Sequence, residues 1–474
     1  MDPSYVDARR RGVLGMLAAA QGSRLVSAVE LTERALTRIS EAAELNAVVA
    51  VDPVAARRCA EQVDGRRARG EQLGVLAGVP ILVKDNMNVR GLPTTHGSRL
   101  HEHAPPALVD DAGVARLRAA GAVIVGKTNL SEFAMEAISD NPLFGATSNP
   151  WRAECSPGGS SGGSAAALAA GLVPVATGTD GGGSVRIPAA LCGLLGLKPT
   201  SGVVGAWPTN LPVELSSVGP LSTTVADLRV LAALDMGPVF GDPSCVSGSD
   251  PRPSDRPLGT VFATTRVAGT SPVASSVESV FATAAEEFSR AVDREVHWLP
   301  PGVLDGDADE VWAAMYAPED VFTVGAGRLR DHRDLLDRRV LGWVDRGLNA
   351  TLDGYLTARR RRNDYVLRLD ELLEGANVLL TPTVTAEPYP VGGPAEAAGD
   401  LMPIDLFNTA AMNLTGHPAL SMPAGYVDHV PFGLQLVGPR GGDLWLLDLA
   451  RAWERHRPWP LVAPGYDPFF STGP

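Results

Sequence analysis

Residues 156–200 read SPGGSSGGSAAALAAGLVPVATGTDGGGSVRIPAALCGLLGLKPT and hold eleven of the 51 glycines of this 474-residue chain. The glycines concentrate in two short glycine- and serine-rich segments, residues 158–164 (GGSSGGS) and residues 179–184 (TDGGGS), which we name the first and the second knot. A run of small or apolar residues follows each knot. Glycine lets backbone N–H groups turn toward one point without interference from a Cβ atom. Each knot therefore predicts a tight turn that delivers a serine, Ser160 or Ser184, to the start of a helix.

The second knot has the features needed to stabilise a negative charge. A helix N-terminus carries a partial positive charge and unpaired N–H groups. The N–H groups of Gly181, Gly182, Gly183 and Ser184 are placed to converge on a carbonyl oxygen as an oxyanion hole, in which one donor contributes roughly 3–4 kcal/mol. This loop indicates acyl-transfer chemistry.

The segments before the knots alternate between strand and helix patterns. Residues 75–83 (VLAGVPILV) form an apolar run that we interpret as a buried strand, and Lys84 follows it directly. We expect a helix over residues 110–120, a strand over residues 122–125 and another helix over residues 127–137. This alternation predicts a doubly wound α/β sheet, whose sites lie at the carboxyl ends of its strands.

The same alternation continues after residues 235–257, a segment rich in Gly, Pro, Ser and Asp that predicts a long surface connection. Residues 300–375 are more charged and predict mainly helix. A further helix is predicted to start at Ser27, which forms a capping box with Glu30. Other helices are predicted over residues 53–69, 275–291 and 443–455. The remaining predicted strands cover residues 258–264, 295–299, 378–380 and 432–437.

Composition excludes several classes of protein. The net charge of −13 argues against binding to nucleic acid or to an anionic membrane surface. The four cysteines include no CxxC pair, which disfavours a metal site and a disulfide framework. The first residues lack the apolar segment of a signal peptide, and no uncharged apolar run approaches the roughly 18–20 residues of a membrane span. We therefore predict a soluble cytoplasmic protein.

A serine becomes an effective nucleophile only when a base removes its proton. Lys84 follows a predicted buried strand, where loss of solvation lowers the pKa of a lysine. A neutral Lys84 within reach of a serine would form a Ser–Lys system, which is an alternative to the Ser–His–Asp triad. Two serines in two loops also permit a proton relay, and the spacing alone leaves open which serine attacks.

A different class of enzyme is also compatible with the first knot. Residues 158–162 satisfy the GxSxG pattern, which would make Ser160 the nucleophile of an α/β-hydrolase-type esterase. The base would then be one of three downstream histidines, His417, His429 or His456. This interpretation leaves the second knot without a role. A flexible linker is disfavoured by the apolar flanks, and a dinucleotide-binding loop by the missing GxGxxG.

Taken together, these motifs resemble the amidase signature family. The 24-residue step from Ser160 to Ser184 is the step found in that family. The segments that carry the resemblance are residues 78–85 (GVPILVKD), 126–129 (GKTN), 132–133 (EF), 141–151 (NPLFGATSNPW), 158–164, 178–188 (GTDGGGSVRIP), 381–383 (TPT) and 432–435 (FGLQ). The resemblance covers roughly residues 30–455.

The resemblance implies a single α/β/α domain over residues 1–474, built on a mixed, twisted sheet of about eleven strands with helices on both faces. Along the chain we expect an N-terminal helical segment at about residues 1–70. A signature core would follow at about residues 71–235, and a C-terminal part at about residues 258–460.

The resemblance also implies a Ser–cis-Ser–Lys triad. Ser184 would be the nucleophile, Ser160 the proton relay on a cis peptide bond, and Lys84 the general base. Around the triad we expect an oxyanion hole (Gly181, Gly182, Gly183), three substrate-binding residues (Met135, Gly159, Thr179) and an ion pair that supports the loop (Asp180, Arg186).

The implied activity is hydrolysis of a linear carboxylic amide through an acyl-enzyme on Ser184. The expected partner is a small-molecule amide substrate, and a homodimer is compatible with the resemblance. We expect no cofactor, no metal, and no binding to nucleic acid or to a membrane. A stand-alone amidase is favoured over the glutaminase component of a tRNA-dependent amidotransferase, because Ile187 stands where that component typically has glutamine. A catalytically inactive binding protein on this fold is disfavoured, because all three triad positions are intact.

Overall fold

The computed structural model describes residues 3–206, 214–245, 257–304, 306–393 and 403–470. The strands in this part of the chain are β1 (Val48–Val51), β2 (Pro80–Lys84), β3 (Val123–Thr128), β4 (Val175–Asp180), β5 (Leu195–Lys198), β6 (Ser217–Ser222), β7 (Val261–Ala263), β8 (Val296–Trp298), β9 (Val378–Pro382), β10 (Ala419–Val427) and β11 (Val430–Val437). The α-helices there are α1 (Pro3–Gly22), α2 (Ala28–Glu41), α3 (Pro53–Ala68), α4 (Ala112–Ala119), α5 (Gly162–Ala169), α6 (Arg186–Cys192), α7 (Val225–Asp235), α8 (Ser275–Val292), α9 (Ala308–Val324), α10 (Ala326–Asp331), α11 (Arg338–Leu348), α12 (Leu352–Leu372), α13 (Ala410–Thr415) and α14 (Asp443–His456).

All these strands join one 11-stranded sheet in the order β1-β3-β2-β4-β6-β5-β10-β11-β9-β7-β8. The sheet is mixed: β2 is parallel to both β3 and β4, and β7 is parallel to β8 and β9. The central strands β4, β6, β5, β10 and β11 pair antiparallel in succession. The expected mixed sheet of about eleven strands is confirmed.

Helices cover both faces of the sheet, as the side chains of β9 show. Val378 and Leu380 belong to a core cluster with α7, α8 and α14. Leu379, between them, belongs to a second cluster with α9, α12 and α13. Successive side chains of a strand point to opposite faces, so these two sets of helices lie on opposite sides of the sheet. The α/β/α architecture is therefore confirmed.

Most of the predicted elements occur near their expected positions, and the capping box of Ser27 and Glu30 is present. The helix predicted over residues 127–137 is wrong. Strand β3 continues to Thr128, and the chain then turns, because Phe133 (φ 53°) and Ala134 (φ 63°) adopt left-handed backbone angles that an α-helix excludes. Within the connection predicted over residues 235–257, residues 246–256 lie outside the described residues.

The fold brings the predicted site residues to one edge of the sheet. The parallel strands β2 and β4 end at Lys84 and Asp180, so their carboxyl ends lie side by side. Helix α5 packs very closely there: a Cβ atom on Gly163 would lie 2.5 Å from the backbone nitrogen of Asn129. The small residues of the first knot are therefore needed for helix packing as well as for the turn. Among the described helices, none has the length and apolar character that a membrane crossing requires.

Candidate active site

Lys84 is the last residue of β2, and its side chain is fully buried. Its Nζ atom lies 2.7 Å from Oγ of Ser160 and 2.9 Å from Oγ1 of Thr179. The side-chain amide of Asn86 donates a second hydrogen bond to the Thr179 hydroxyl at 3.0 Å. The amine of Lys84 is therefore held in one orientation, with Ser160 as one of its two hydroxyl partners.

Burial lowers the pKa of Lys84 from its ordinary value of 10.5 to about 7, and the negative charge of Asp180 only partly opposes this shift. A substantial share of Lys84 is therefore neutral near pH 7 and able to accept a proton. Two other lysines nearby are also buried, but Nζ of Lys127 lies 2.8 Å from Asp85 and Nζ of Lys198 donates to the carbonyl of Pro199. Of these three lysines, Lys84 is the one that contacts a serine of the knots.

Ser160 is fully buried, and the peptide bond between Gly159 and Ser160 is cis. The chain packs tightly at this point, since a Cβ atom on Gly159 would lie 2.2 Å from the carbonyl oxygen of Ile138. The hydroxyl of Ser139 donates to the carbonyl of Gly158 at 3.0 Å. These contacts fix the backbone that carries the Ser160 hydroxyl.

Ser184 lies between the second knot and α6 and, unlike Ser160, is only partly buried. Its carbonyl accepts a hydrogen bond of 3.1 Å from the N–H of Ser161, which joins the two knots through their backbones. Ser184 also lines a pocket that opens beside the second knot. The three residues thus differ in access: Ser184 faces the pocket, whereas Ser160 and Lys84 lie buried.

The second knot rests on a buried ion pair between Asp180 and Arg186, both fully buried. The guanidinium donates to Oδ2 at 2.9 Å and to Oδ1 at 2.8 Å. Burial by itself would raise the pKa of Asp180, but the charge and hydrogen bonds of Arg186, with the amide of Asn413, lower it to about 2. Arg186 also donates to the Gln435 side chain at 2.8 Å, which ties the knot to β11. The predicted pairing of Asp180 with Arg186 is present.

One of the proposed oxyanion donors of the second knot already has a hydrogen-bond partner. The N–H of Gly183 donates to Oδ1 of Asp180 at 2.8 Å, so the ion pair already engages this proposed oxyanion donor. The proposal for the oxyanion hole therefore rests on the N–H groups of Gly181, Gly182 and Ser184. Glycine is required at position 181, because a Cβ atom there would lie 1.9 Å from the hydroxyl oxygen of Tyr316.

The pocket beside Ser184 is mostly apolar. Two predicted substrate-binding residues, Met135 and Gly159, line it together with the backbone of the second knot. The described residues that line this pocket are Ala134, Met135, Glu136, Ala137, Gly159, Gly182, Ser184, Ile187, Trp312, Tyr316, Trp343 and Ile404.

One wall of the pocket consists of three aromatic rings from α9 and α11. The rings of Trp312 and Tyr316 stack, with centroids 5.0 Å apart and planes 19° apart. The ring of Trp343 packs against Trp312 with a centroid distance of 5.4 Å. The indole N–H of Trp312 donates to the carbonyl of Gly181 at 2.9 Å, so the wall is bonded to the second knot.

Thr179 occupies a different place from the one predicted. We expected it to bind substrate, but it is almost fully buried and its hydroxyl bonds to Lys84 and Asn86. It is not among the described residues that line the pocket. In the structure the Thr179 hydroxyl therefore contacts the amine of Lys84, and substrate binding by Thr179 stays a prediction.

His417, one of the three histidines that a GxSxG enzyme could use, is engaged elsewhere. Nε2 of His417 lies 3.2 Å from Oδ1 of Asp370, a residue of α12. Burial lowers the pKa of His417 to about 4, although Asp370 opposes this shift. The Ser160 hydroxyl is bonded to Lys84 instead. This geometry favours the lysine-based interpretation over the α/β-hydrolase one.

Sequence reasoning missed several residues that shape the site, chiefly Asn86, Trp312, Thr409 and Asn413. Asn86 follows Lys84 by two positions, and this short spacing is a usable signal. Trp312 lies 131 positions from its partner Gly181, and Asn413 lies 233 positions from Asp180. Such contacts depend on how the elements pack, and no local motif marks them.

The comparisons with known proteins agree with the fold. The family model for Amidase matches residues 30–447. The glutamyl-tRNA(Gln) amidotransferase A subunit of Synechococcus sp. (strain CC9605) is 34% identical over 459 residues, covering 91% of this chain and 93% of that protein. A solved bacterial aryl acylamidase of the amidase signature family is 27% identical, with a TM-score of 0.83, and the match covers 93% of this chain and 95% of that one. A 6-aminohexanoate cyclic dimer hydrolase, solved with its substrate, is also 27% identical, with a TM-score of 0.84, covering 95% of this chain and 98% of that one.

The mixed α/β sheet, the glycine–serine site at the carboxyl ends of its strands and these matches are typical of one class of protein. That class is a family of amide-cleaving enzymes. The chain belongs to the amidase signature family. The fold and the family predicted from the motifs of the two knots are both confirmed.

Proposed function

We propose that this chain hydrolyses the C–N bond of a carboxylic amide through an acyl-enzyme on Ser184. The observation that carries the proposal is the buried contact of 2.7 Å between Nζ of Lys84 and Oγ of Ser160, next to a pocket that Ser184 lines. A lysine with a pKa of about 7 is suited to take and return a proton near neutral pH.

In the proposed acylation step, neutral Lys84 accepts the proton of the Ser160 hydroxyl while Ser160 accepts the proton of Ser184. Oγ of Ser184 attacks the amide carbonyl, and backbone N–H groups of the second knot stabilise the oxyanion. When the tetrahedral intermediate collapses, the proton passes back from Lys84 through Ser160 to the leaving nitrogen. Ammonia or an amine departs, and water then releases the carboxylic acid by the same proton path in reverse.

For the substrate, the curated relatives favour glutamine. Those relatives are glutamyl-tRNA(Gln) amidotransferase components that match 91–93% of this chain at 33–35% identity. They support the glutaminase role better than the stand-alone amidase that Ile187 led us to prefer. We therefore propose the glutaminase role as the first candidate, with the other amidotransferase subunits as partners.

A specific feature of the pocket supports a stand-alone amidase as the second candidate. Among the described residues that line the pocket, there is no lysine or arginine to bind the carboxylate of glutamine. Apart from Glu136, its lining is mainly aromatic and aliphatic, which is suited to an uncharged acyl group. Similar solved structures include an aryl acylamidase and a 6-aminohexanoate cyclic dimer hydrolase.

A single assay series separates these candidates. Ammonia or amine release is measured from glutamine and from a panel of primary, aryl and peptidyl amides, with esters included, using wild type and Ser184→Ala. Glutamine is tested with the chain alone and with the other subunits of a tRNA-dependent amidotransferase. Glutamine hydrolysis that needs those subunits supports the glutaminase, and turnover of uncharged amides by the chain alone supports the amidase. Absence of Ser184-dependent turnover on every substrate would contradict the proposal.

A further inference from the structure

A side chain from a distant helix holds the backbone of the loop that precedes Ser184. Trp312 lies near the start of α9 and is 6% exposed. Its indole N–H donates a buried hydrogen bond of 2.9 Å to the carbonyl of Gly181. A Cβ atom on Gly182 would lie 2.7 Å from Cζ2 of Trp312, so the loop backbone lies directly against this ring.

This bond also fixes the direction of a proposed oxyanion donor. The carbonyl of Gly181 and the N–H of Gly182 belong to the same planar peptide group, in which they point in opposite directions. Glycine at both positions leaves this peptide free of Cβ restraints on its rotation. With the carbonyl bonded to Trp312, the N–H of Gly182 is directed to the opposite side.

The next peptide group along the loop is held at both of its ends. The hydroxyl of Thr409 donates to the carbonyl of Gly182 at 2.6 Å. The N–H of Gly183 donates to Asp180 at 2.8 Å. Thr409 and Asp180 therefore fix the peptide between Gly182 and Gly183. The orientation of the peptide between Gly181 and Gly182 depends on the bond to Trp312.

The indole of Trp312 has little freedom to move. It stacks on Tyr316 on α9 and packs against Trp343 on α11. The indole N–H of Trp343 in turn donates to Asp320 at 3.0 Å, which ties α11 to α9. The rings of Tyr316 and Trp343 also contact each other, with centroids 6.1 Å apart, so the three rings form one packed cluster. A donor held in such a cluster keeps its direction while the reaction proceeds, which is the condition for electrostatic preorganisation.

We propose that Trp312 is a positioning residue for the oxyanion hole. Its indole N–H holds the peptide between Gly181 and Gly182 so that the N–H of Gly182 stabilises the oxyanion formed when Ser184 attacks. The inference rests on the proposed acyl-enzyme at Ser184. Because the oxyanion exists only in the transition state and the intermediate, loss of this support lowers kcat and leaves KM nearly unchanged.

The test is Trp312→Phe, which removes the N–H and keeps an aromatic ring. We expect kcat to fall by about ten- to a hundredfold, less than the full loss of an oxyanion donor. A trifluoromethyl ketone with the acyl group of the best amide forms a tetrahedral adduct with an oxyanion. Its affinity should therefore fall by the same factor as kcat/KM.

Trp453→Phe is the matched control. Trp453 is fully buried, and its indole N–H donates to the carbonyl of Pro423 at 3.0 Å, so the same change removes the same kind of bond. We expect this variant to lose thermal stability and to keep the kcat and the ketone affinity of wild type. A similar kcat for Trp312→Phe and Trp453→Phe would overturn the inference, and so would a rise in KM with an unchanged ketone affinity.

If Trp312→Phe does not fold, position 312 is replaced by 3-benzothienylalanine, which keeps the bicyclic shape and carries sulfur in place of N–H. An unchanged kcat in that variant overturns the inference, and a lowered kcat with unchanged KM supports it. Absence of Ser184-dependent turnover in wild type contradicts the proposed function and the inference together. An unchanged kcat at position 312 in a protein with Ser184-dependent turnover contradicts the inference alone, so the two failures are distinguishable.

Discussion

The two glycine–serine knots resemble each other in sequence but lie in different surroundings. The first knot, residues 158–164, carries a fully buried Ser160 whose hydroxyl lies 2.7 Å from the amine of Lys84. The second knot, residues 179–184, carries a partly exposed Ser184 that lines the pocket. Both serines precede a helix, so local structure alone does not separate their roles.

The difference between the knots shows what assigns a chemical role to a serine. Ser160 contacts the proposed base and has no access to solvent, so it is suited to pass protons. Ser184 has access to the pocket and lies on a loop whose peptides are fixed by Trp312, Thr409 and Asp180, so it is suited to attack. The following predictions test this division, from the largest expected effect to the smallest.

Replacing the proposed nucleophile should have the largest effect. We expect Ser184→Ala to lower kcat by about 10⁶-fold, a loss comparable to that of other serine hydrolases without their nucleophile. Release of ammonia or amine from the best substrate measures this loss, and circular dichroism checks the fold. A Ser184→Ala enzyme that keeps a few per cent of wild-type turnover would contradict the proposed roles, in which Ser184 attacks and Ser160 passes protons.

Replacing the proposed relay should have a smaller but still large effect. Ser160→Ala removes the hydroxyl next to Lys84, and we expect kcat to fall by roughly 10²–10⁴-fold, the usual contribution of general acid–base catalysis. Ser164→Ala is the control, since it makes the same change in the same knot at a hydroxyl bonded to the carbonyl of Thr177. Equal activity of the two variants would contradict the relay.

The dependence of the rate on pH should reflect Lys84. Burial lowers the pKa of this group to about 7, and only its neutral form accepts a proton. We therefore expect kcat/KM to rise about tenfold per pH unit below pH 7 and to level off above it. Lys84→Arg, which stays protonated, should be inactive across this range. A wild-type profile that is flat from pH 5 to pH 9 would exclude Lys84 as the base.

The smallest effect is expected at His417. This buried residue pairs with Asp370, an arrangement that resembles the histidine–carboxylate half of a Ser–His–Asp triad. His417→Gln should cost about 1 kcal/mol of stability through the altered hydrogen bond, and kcat should stay at the wild-type value. Thermal unfolding and steady-state kinetics measure the two quantities. A large loss of kcat in a folded His417→Gln protein would favour the esterase interpretation based on Ser160.

The two knots and Lys84 could be picked out in the sequence, because dense local motifs carry them, whereas the eleven-stranded sheet was implied by the resemblance to the amidase signature family. The contact between the Thr179 hydroxyl and Lys84 could not be predicted, since the neighbours of Thr179 in sequence do not reveal it. The helix predicted over residues 127–137 failed because the left-handed angles of Phe133 and Ala134 depend on the surrounding loop.

The aromatic wall could not be predicted, because its function depends on packing between distant segments. Trp312 and Tyr316 have the spacing of a helix face, which is equally typical of an ordinary core. Only the folded structure shows that Trp312 bonds to Gly181. Likewise, Ile187 led us to favour a stand-alone amidase, whereas the curated relatives favour the glutaminase role. One position in a motif was too little to decide the substrate.

The most direct test of the proposed roles is to identify which serine becomes covalently modified. Wild-type protein is treated with a fluorophosphonate, digested with trypsin and analysed by mass spectrometry. Both serines lie on one tryptic peptide, residues 153–186, so fragment-ion sequencing must locate the label. We predict a single label on Ser184, which is absent in Ser184→Ala and forms more slowly in Ser160→Ala. A label on Ser160 in the wild-type protein would contradict the proposed roles.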